Sequence, residues 1–101
     1  MAKDRPILTL SVAATLLKVH PRTLMLYEKE GLIQPHRTGT NRRLFSEADL
    51  DLIQFIKYLI SEERVNIIGA GVIIRILRRA HLKYPTLKKE FFPEYKERRL
   101  I

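Results

Sequence analysis

The chain contains no cysteine. A disulfide framework, a thiolate metal site and a cysteine nucleophile are therefore excluded together. Long hydrophobic runs are also missing, and the longest apolar stretches are far shorter than a membrane span requires. The opening MAKDRPILTL carries charge but no signal-peptide core with a cleavage site. A cytoplasmic protein with no membrane association is expected. No internal repeat or low-complexity stretch is found. Glycine is scarce, with four residues, and the "GAG" at 69–71 lacks the third glycine and preceding strand of a nucleotide loop.

The chain does carry charge, and mostly of one sign. Nineteen Lys and Arg stand against eleven Asp and Glu, a formal net charge of +8 over 101 residues. That length suits one small domain, and 46% hydrophobic with 30% charged residues is globular rather than disordered. The charge is segregated. Residues 1–45 hold eight basic and three acidic residues, residues 46–74 two and five, and residues 75–101 nine and three. Two basic ends around an acidic middle point to a basic face for a polyanion, where an even spread would only solubilise.

Local signals give a run of short elements. Ser11 reads as the N-cap of a first helix in which Val12, Leu16 and Val19 form one stripe. That helix ends near Lys18–Val19, because His20 precedes Pro21 and the residue before proline avoids the helical region. Pro21 fits the first position of a second helix, PRTLMLYEKE, closed by Gly31. Two short helices joined by a tight turn read as a helix-turn-helix. Pro35, Gly39 and Asn41 mark a loop, and Arg42, Arg43, Leu44 and Phe45 a short strand, giving a two-stranded wing. Ser46 and Asp49 make a capping box for a third helix, with Leu52, Ile56, Leu59 and Ile60 on one face. Leu24, Leu26, Leu32 and Phe45 are expected in the core.

Residues 67–77, IIGAGVIIRIL, are ambiguous. Their β-branched residues and glycines favour a strand, whereas Asn66 as N-cap and the continuation into RRAHLK favour a helix. In the tail, Leu87, Phe91 and Tyr95 follow a helical spacing that Pro93 interrupts, so a helix of about two turns, a break and a charged end are expected.

The stretch LTLSVAATLLKVHPRTLMLYEKEGLIQPHRTGTNRRLFSEADLDLI resembles the DNA-binding head of the MerR family of bacterial transcription regulators. The resemblance lies in "RTLMLYEKEGLI", in "RRLFSEADL" and in the spacing between them, and extends over about residues 8–80. "VNIIGAGVIIRIL" is similar to a segment of two subgroups, the heat-shock repressors and the glutamine-synthetase repressors. The resemblance implies that 67–77 is helical. It also implies a mainly α, winged helix-turn-helix fold over residues 7–82; the basic extension over 83–101, a possible dimer arm, lies outside the resemblance. The implied function is that of a repressor-like regulator binding double-stranded DNA as a homodimer on inverted half-sites. No cofactor, metal or enzymatic role is implied, and any protein co-regulator stays unidentified.

Site residues follow from the same alignment of motifs. Arg22 and Thr23 occupy the first turn of the recognition helix, where side chains reach base edges and phosphates. Ser11 and His20 lie at the two helix starts. Tyr27 matches a position whose hydroxyl can meet a phosphate, its alternative being a core aromatic that closes the helix pair. Arg42 and Arg43 are the strongest electrostatic candidates, Arg43 matching the family arginine and Arg42 standing where an aromatic is commoner. Arg37 and Asn41 add loop contacts. Three departures stand out: Met25 and Leu26 replace two contact positions, Lys18 occupies a turn where glycine is common, and the long dimerisation helix and effector domain of larger members have no counterpart here.

Two other classes compete. One is an excisionase-like architectural DNA-binding protein, and the other a protein-interaction module whose basic tail meets an acidic partner. An enzyme is not expected: His20, His36 and His81 lack metal-ligand spacing, and Glu47, Asp49, Asp51, Glu62 and Glu63 read as a solvated acidic face.

Overall fold

A computed structural model describes residues 3–101. The chain begins with a short strand β1 (Leu8–Thr9) and runs directly into α1 (Leu10–Leu17), followed by α2 (Pro21–Lys29). Two strands follow, β2 (His36–Arg37) and β3 (Arg43–Phe45), then α3 (Glu47–Ser61), α4 (Ile67–Ala80) and the short α5 (Leu87–Phe91). The architecture is mainly helical, a winged helix-turn-helix with a C-terminal helical extension. Among the described residues no helix is long and apolar enough to cross a membrane.

The cap of α1 differs from expectation. Thr9, not Ser11, is the N-cap: its backbone is extended and its Oγ1 accepts from the Val12 N–H at 3.3 Å. The reason is β1, which holds Thr9 extended at the end of a strand and starts the helix at Leu10. Ser11 lies exposed in the first turn, where its carbonyl accepts from the Thr15 hydroxyl. The other end falls where the sequence places it. Lys18 adopts φ 58°, ψ 45°, and its N–H meets the carbonyls of Ala14 and Thr15. Lys57 reaches from α3 to the Leu17 carbonyl at 2.7 Å, satisfying another open acceptor of that helix end.

Helix α2 starts with Pro21 at its first turn and stops at Gly31, whose φ is +81°. Leu24 and Tyr27, one turn apart, bury its inner face. Leu26 does not join them. It is 46% exposed, because the next residue along a helix is rotated by roughly a quarter turn from its neighbour. It shares the outer face with Met25.

The wing also has one more strand than expected. The sheet order is β1-β3-β2, with β3 antiparallel to both neighbours, Leu8 opposite Phe45 and Arg37 opposite Arg43. Arg42 stands in the turn, outside β3; Thr38 closes that turn by accepting the Arg42 N–H at Oγ1. Phe45 roots the wing in the core with no exposed surface.

The capping box of α3 is complete: Ser46 Oγ accepts from the Asp49 N–H at 3.0 Å, and Asp49 Oδ2 accepts from the Ser46 N–H at 2.9 Å. Leu50, Ile53, Phe55, Ile56 and Leu59 line its buried face, while Leu52 and Ile60 sit at the core's edge. Residues 67–77 are helical. Asn66 caps α4 through Oδ1 to the Gly69 N–H at 2.8 Å, and Ala70 and Ile74 turn inward.

The tail folds back on α3. Helix α5 is only five residues long, and Phe91 is 68% exposed instead of continuing a stripe. Pro93 forbids continuation, and a turn from the Tyr95 N–H to the Phe92 carbonyl brings Phe92 and Tyr95 inward together. Their rings meet Phe55 edge-on at 5.4 and 5.2 Å between centroids. Gln54 then holds the Arg98 backbone twice, accepting its N–H at 3.0 Å and donating to its carbonyl at 2.8 Å.

Candidate nucleic-acid interface

The recognition helix and the wing are locked together by one carboxylate. Arg37 and Arg43 face each other across β2 and β3, and like charges directly opposite in a sheet repel. Glu28, on the last turn of α2, stands between them. Arg43 Nε donates to Glu28 Oε1 at 2.6 Å, and Arg37 Nη2 donates to Oε2 at 3.2 Å. Both partners of the Arg43 pair are about one-fifth exposed, so water screens this contact less than an ordinary surface ion pair. Burial alone would raise the pKa of Glu28, but the two guanidiniums outweigh it and hold the carboxyl below its usual range.

This arrangement divides the wing cations by role. Arg43 is half-buried and its Nε is committed to Glu28. Arg37 donates to Glu28 and, through Nη1, to the Asn41 carbonyl at 3.0 Å, which ties the loop tip to its strand. Asn41 takes φ 65°, a left-handed turn position. Arg42 is exposed beside it, and no carboxylate pairs with it among the described residues. It is the wing cation whose charge is not already answered from within the fold.

On α2, His20 is the N-cap, its Nδ1 accepting from the Arg22 N–H at 3.0 Å. Its proton must then sit elsewhere on the ring. Arg22 is exposed in the first turn and Thr23 is half-buried beside it. Met25 and Leu26 extend the outer face, 42% and 46% exposed, with Lys29 exposed at the far end. Tyr27 is only 5% exposed and packs in the core, and burial raises the pKa of its hydroxyl, which stays protonated as a donor.

The predicted residues therefore fall into two groups. Arg22, Thr23, Asn41 and Arg42 lie on α2 and the wing loop, with Ser11 on α1. His20, Tyr27, Arg37 and Arg43 hold these elements in place. Glu28 was not singled out by sequence reasoning. The available signal was an acidic residue within the basic N-terminal third, but its partners lie nine and fifteen residues away, beyond any helical spacing. Among the described residues no group of three or more His, Asp or Glu side chains gathers as a metal site.

Comparison with known proteins agrees with this geometry. Residues 8–77 match the sequence profile of the MerR HTH family regulatory proteins. A Streptomyces coelicolor protein named as heat shock protein HspR is 36% identical over 76 residues, covering 75% of this chain and 50% of that protein. HTH-type transcriptional regulators GlnR of Bacillus anthracis and Bacillus cereus are 35% identical over 77 residues, covering 73% of this chain and 59% of theirs. The chain thus spans about half the length of the first relative and 59% of the other two, and the two GlnR proteins are named as transcriptional regulators. With the profile covering the helix-turn-helix, the wing and most of α4, the chain belongs to the MerR HTH regulatory protein family.

Proposed function

We propose that this chain is a sequence-specific DNA-binding transcriptional regulator of the cytoplasm, acting as a repressor and as a dimer on inverted half-sites. The observation that carries the reading is the Glu28 clamp, which fixes the exposed face of α2 at a set distance from the Arg42 loop. Two surfaces held in register suit a duplex, where a helix enters the major groove and a wing follows the flanking backbone.

In this reading Arg22 reads a base edge, and Thr23 and Ser11 contact the adjoining backbone. Arg42 and Asn41 meet phosphates beyond the groove. The Tyr27 hydroxyl donates to a phosphate while its ring serves the core. His20, Arg37 and Arg43 act by holding the contact groups. A residue that positions carries no sequence information itself, so Arg22 is assigned the largest share of specificity.

Dimerisation draws support from α4. Ile68, Val72 and Ile76, spaced by four, are 61%, 38% and 54% exposed on one helix face. An apolar stripe centred on Val72 is self-complementary under a two-fold axis, with Ile68 of one copy against Ile76 of the other. Substituting Val72→Glu would leave a monomer in sedimentation experiments, and the DNA complex would lose its two-half-site footprint.

Fluorescence anisotropy with a duplex selected from a random-sequence pool tests the function. Selected DNA should bind at least about a thousandfold tighter than scrambled duplex at physiological salt. Equal affinity for both at every salt concentration contradicts the proposal and favours an architectural or protein-binding role.

A further inference from the structure

The DNA reading leaves unused a cleft formed by α3, α4 and α5, with no residue of α2 or the wing in its lining. Its walls are apolar and come from three elements: Leu52 and Phe55 of α3, Ile74 and Leu77 of α4, and Leu87 of α5. The cavity volume is about 390 Å³. That falls at the lower end of small-molecule sites, which run from roughly 300 to 1,000 Å³.

Its rim is of one sign. Its charged residues are Arg78 and Lys88, and no Asp or Glu lines it. Lys88 is half-buried and lies 4.4 Å from the centre of the Phe55 ring and 5.1 Å from that of Tyr95. Stacking on those rings fixes the ammonium in place without neutralising it. Neither Lys88 nor Arg78 has a carboxylate partner among the described residues. An apolar floor below unanswered cations matches one ligand chemistry, a hydrocarbon body carrying a negative head.

The geometry points to a binding site for a small amphipathic carboxylate in the cleft between α3, α4 and α5. The hydrocarbon part lies against Leu52, Phe55, Ile74 and Leu77, and the carboxylate is shared between Arg78 and Lys88. A phosphodiester backbone fits less well, because it offers charge at every unit and no apolar segment for the floor. The bound molecule spans α4 and α5, so occupancy tightens the tail against the domain. This site is independent of α2 and the wing, and it stands whether or not the chain binds DNA.

Calorimetric titration of the full chain with octanoate tests the site, with octanol and octylammonium as probes of the same length and different charge. Saturable one-to-one binding of octanoate is expected, at least about tenfold tighter than octanol, with octylammonium not binding. The Arg78→Gln/Lys88→Gln variant should weaken octanoate at least about tenfold. The charge-retaining Arg78→Lys/Lys88→Arg variant should restore most of the affinity, which a merely unfolded tail would not do. Lys96→Gln/Arg99→Gln removes the same net charge outside the cleft and should leave binding unchanged. Absence of saturable octanoate binding, equal binding of octanol, or equal weakening by the Lys96/Arg99 variant each overturns the proposal.

Discussion

Arg43 and Glu28 form the shortest ion pair between the wing and the recognition helix, with Nε and Oε1 2.6 Å apart. Arg37, opposite Arg43 on the neighbouring strand, shares the same carboxylate. Removing Glu28 therefore does more than delete one attraction, since it leaves two guanidiniums facing each other. Glu28→Ala should cost about 1–2 kcal/mol of stability in urea unfolding. It should also weaken specific DNA binding by freeing the wing from α2. Glu28→Gln, which keeps the shape and loses the charge, should fall between the two.

The same pair sets an acid limit. The folded-state pKa of Glu28 lies below its ordinary value of 4.5, so its contribution is complete above that value. It is lost as pH falls through the lowered folded-state pKa. Denaturation midpoints measured downward from pH 6 should decline in the wild type, and the difference from Glu28→Gln should shrink toward the acid end.

Arg22 and Arg42 should be separable by their salt behaviour. Arg22→Ala is expected to cost about 1–3 kcal/mol for the selected sequence and to relax preference at one base pair. Arg42→Ala should weaken selected and scrambled duplexes alike, and lower the slope of log K against log salt by about 1. Tyr27→Phe should weaken selected and scrambled duplexes alike but leave the salt slope unchanged, because its hydroxyl is neutral, and should leave the unfolding midpoint close to wild type.

The tail offers a test of packing. The Tyr95 hydroxyl is buried without a hydrogen-bond partner among the described residues, while its ring packs edge-on against Phe55. Tyr95→Phe keeps the ring and removes the unpaired group, so it should be neutral or stabilising by up to about 1 kcal/mol. Phe92→Ala removes a ring 5.4 Å from Phe55 and should cost about 2–4 kcal/mol, with residues 92–100 becoming sensitive to protease.

Much of this fold was legible because its signals are local. Ser46 and Asp49 lie three residues apart, and their reciprocal hydrogen bonds form as the spacing requires. Asn66 and Gly31 likewise end or begin helices through bonds within their own turns. For residues 67–77 propensity favoured a strand against the Asn66 cap, and the helix forms with Ala70 and Ile74 buried on the side where α4 meets α3. What escaped depends on distance along the chain. Strand β1 is two residues long and exists only through β3, and its presence moves the α1 cap from Ser11 to Thr9. Glu28 gains its role from partners in a different element. The break at Pro93 was legible, but not the turn beyond it that brings Phe92 and Tyr95 together onto Phe55. In the site, Arg22 lies exposed in the first turn of α2 as its position after Pro21 predicts, whereas Arg42 lies in the turn and not on the strand expected of it, and the pairing of Arg43 with Glu28 was not legible.

The central claim is that α2 and the Arg42 loop form the DNA-binding face. Amide chemical-shift mapping of the full chain during titration with a selected duplex tests it most directly. The largest changes should fall on Arg22, Thr23, Met25 and Leu26 of α2 and on Thr40, Asn41 and Arg42 of the loop. Changes concentrated instead on the other basic end, at Arg75, Arg79, Lys96 and Arg98, would contradict it.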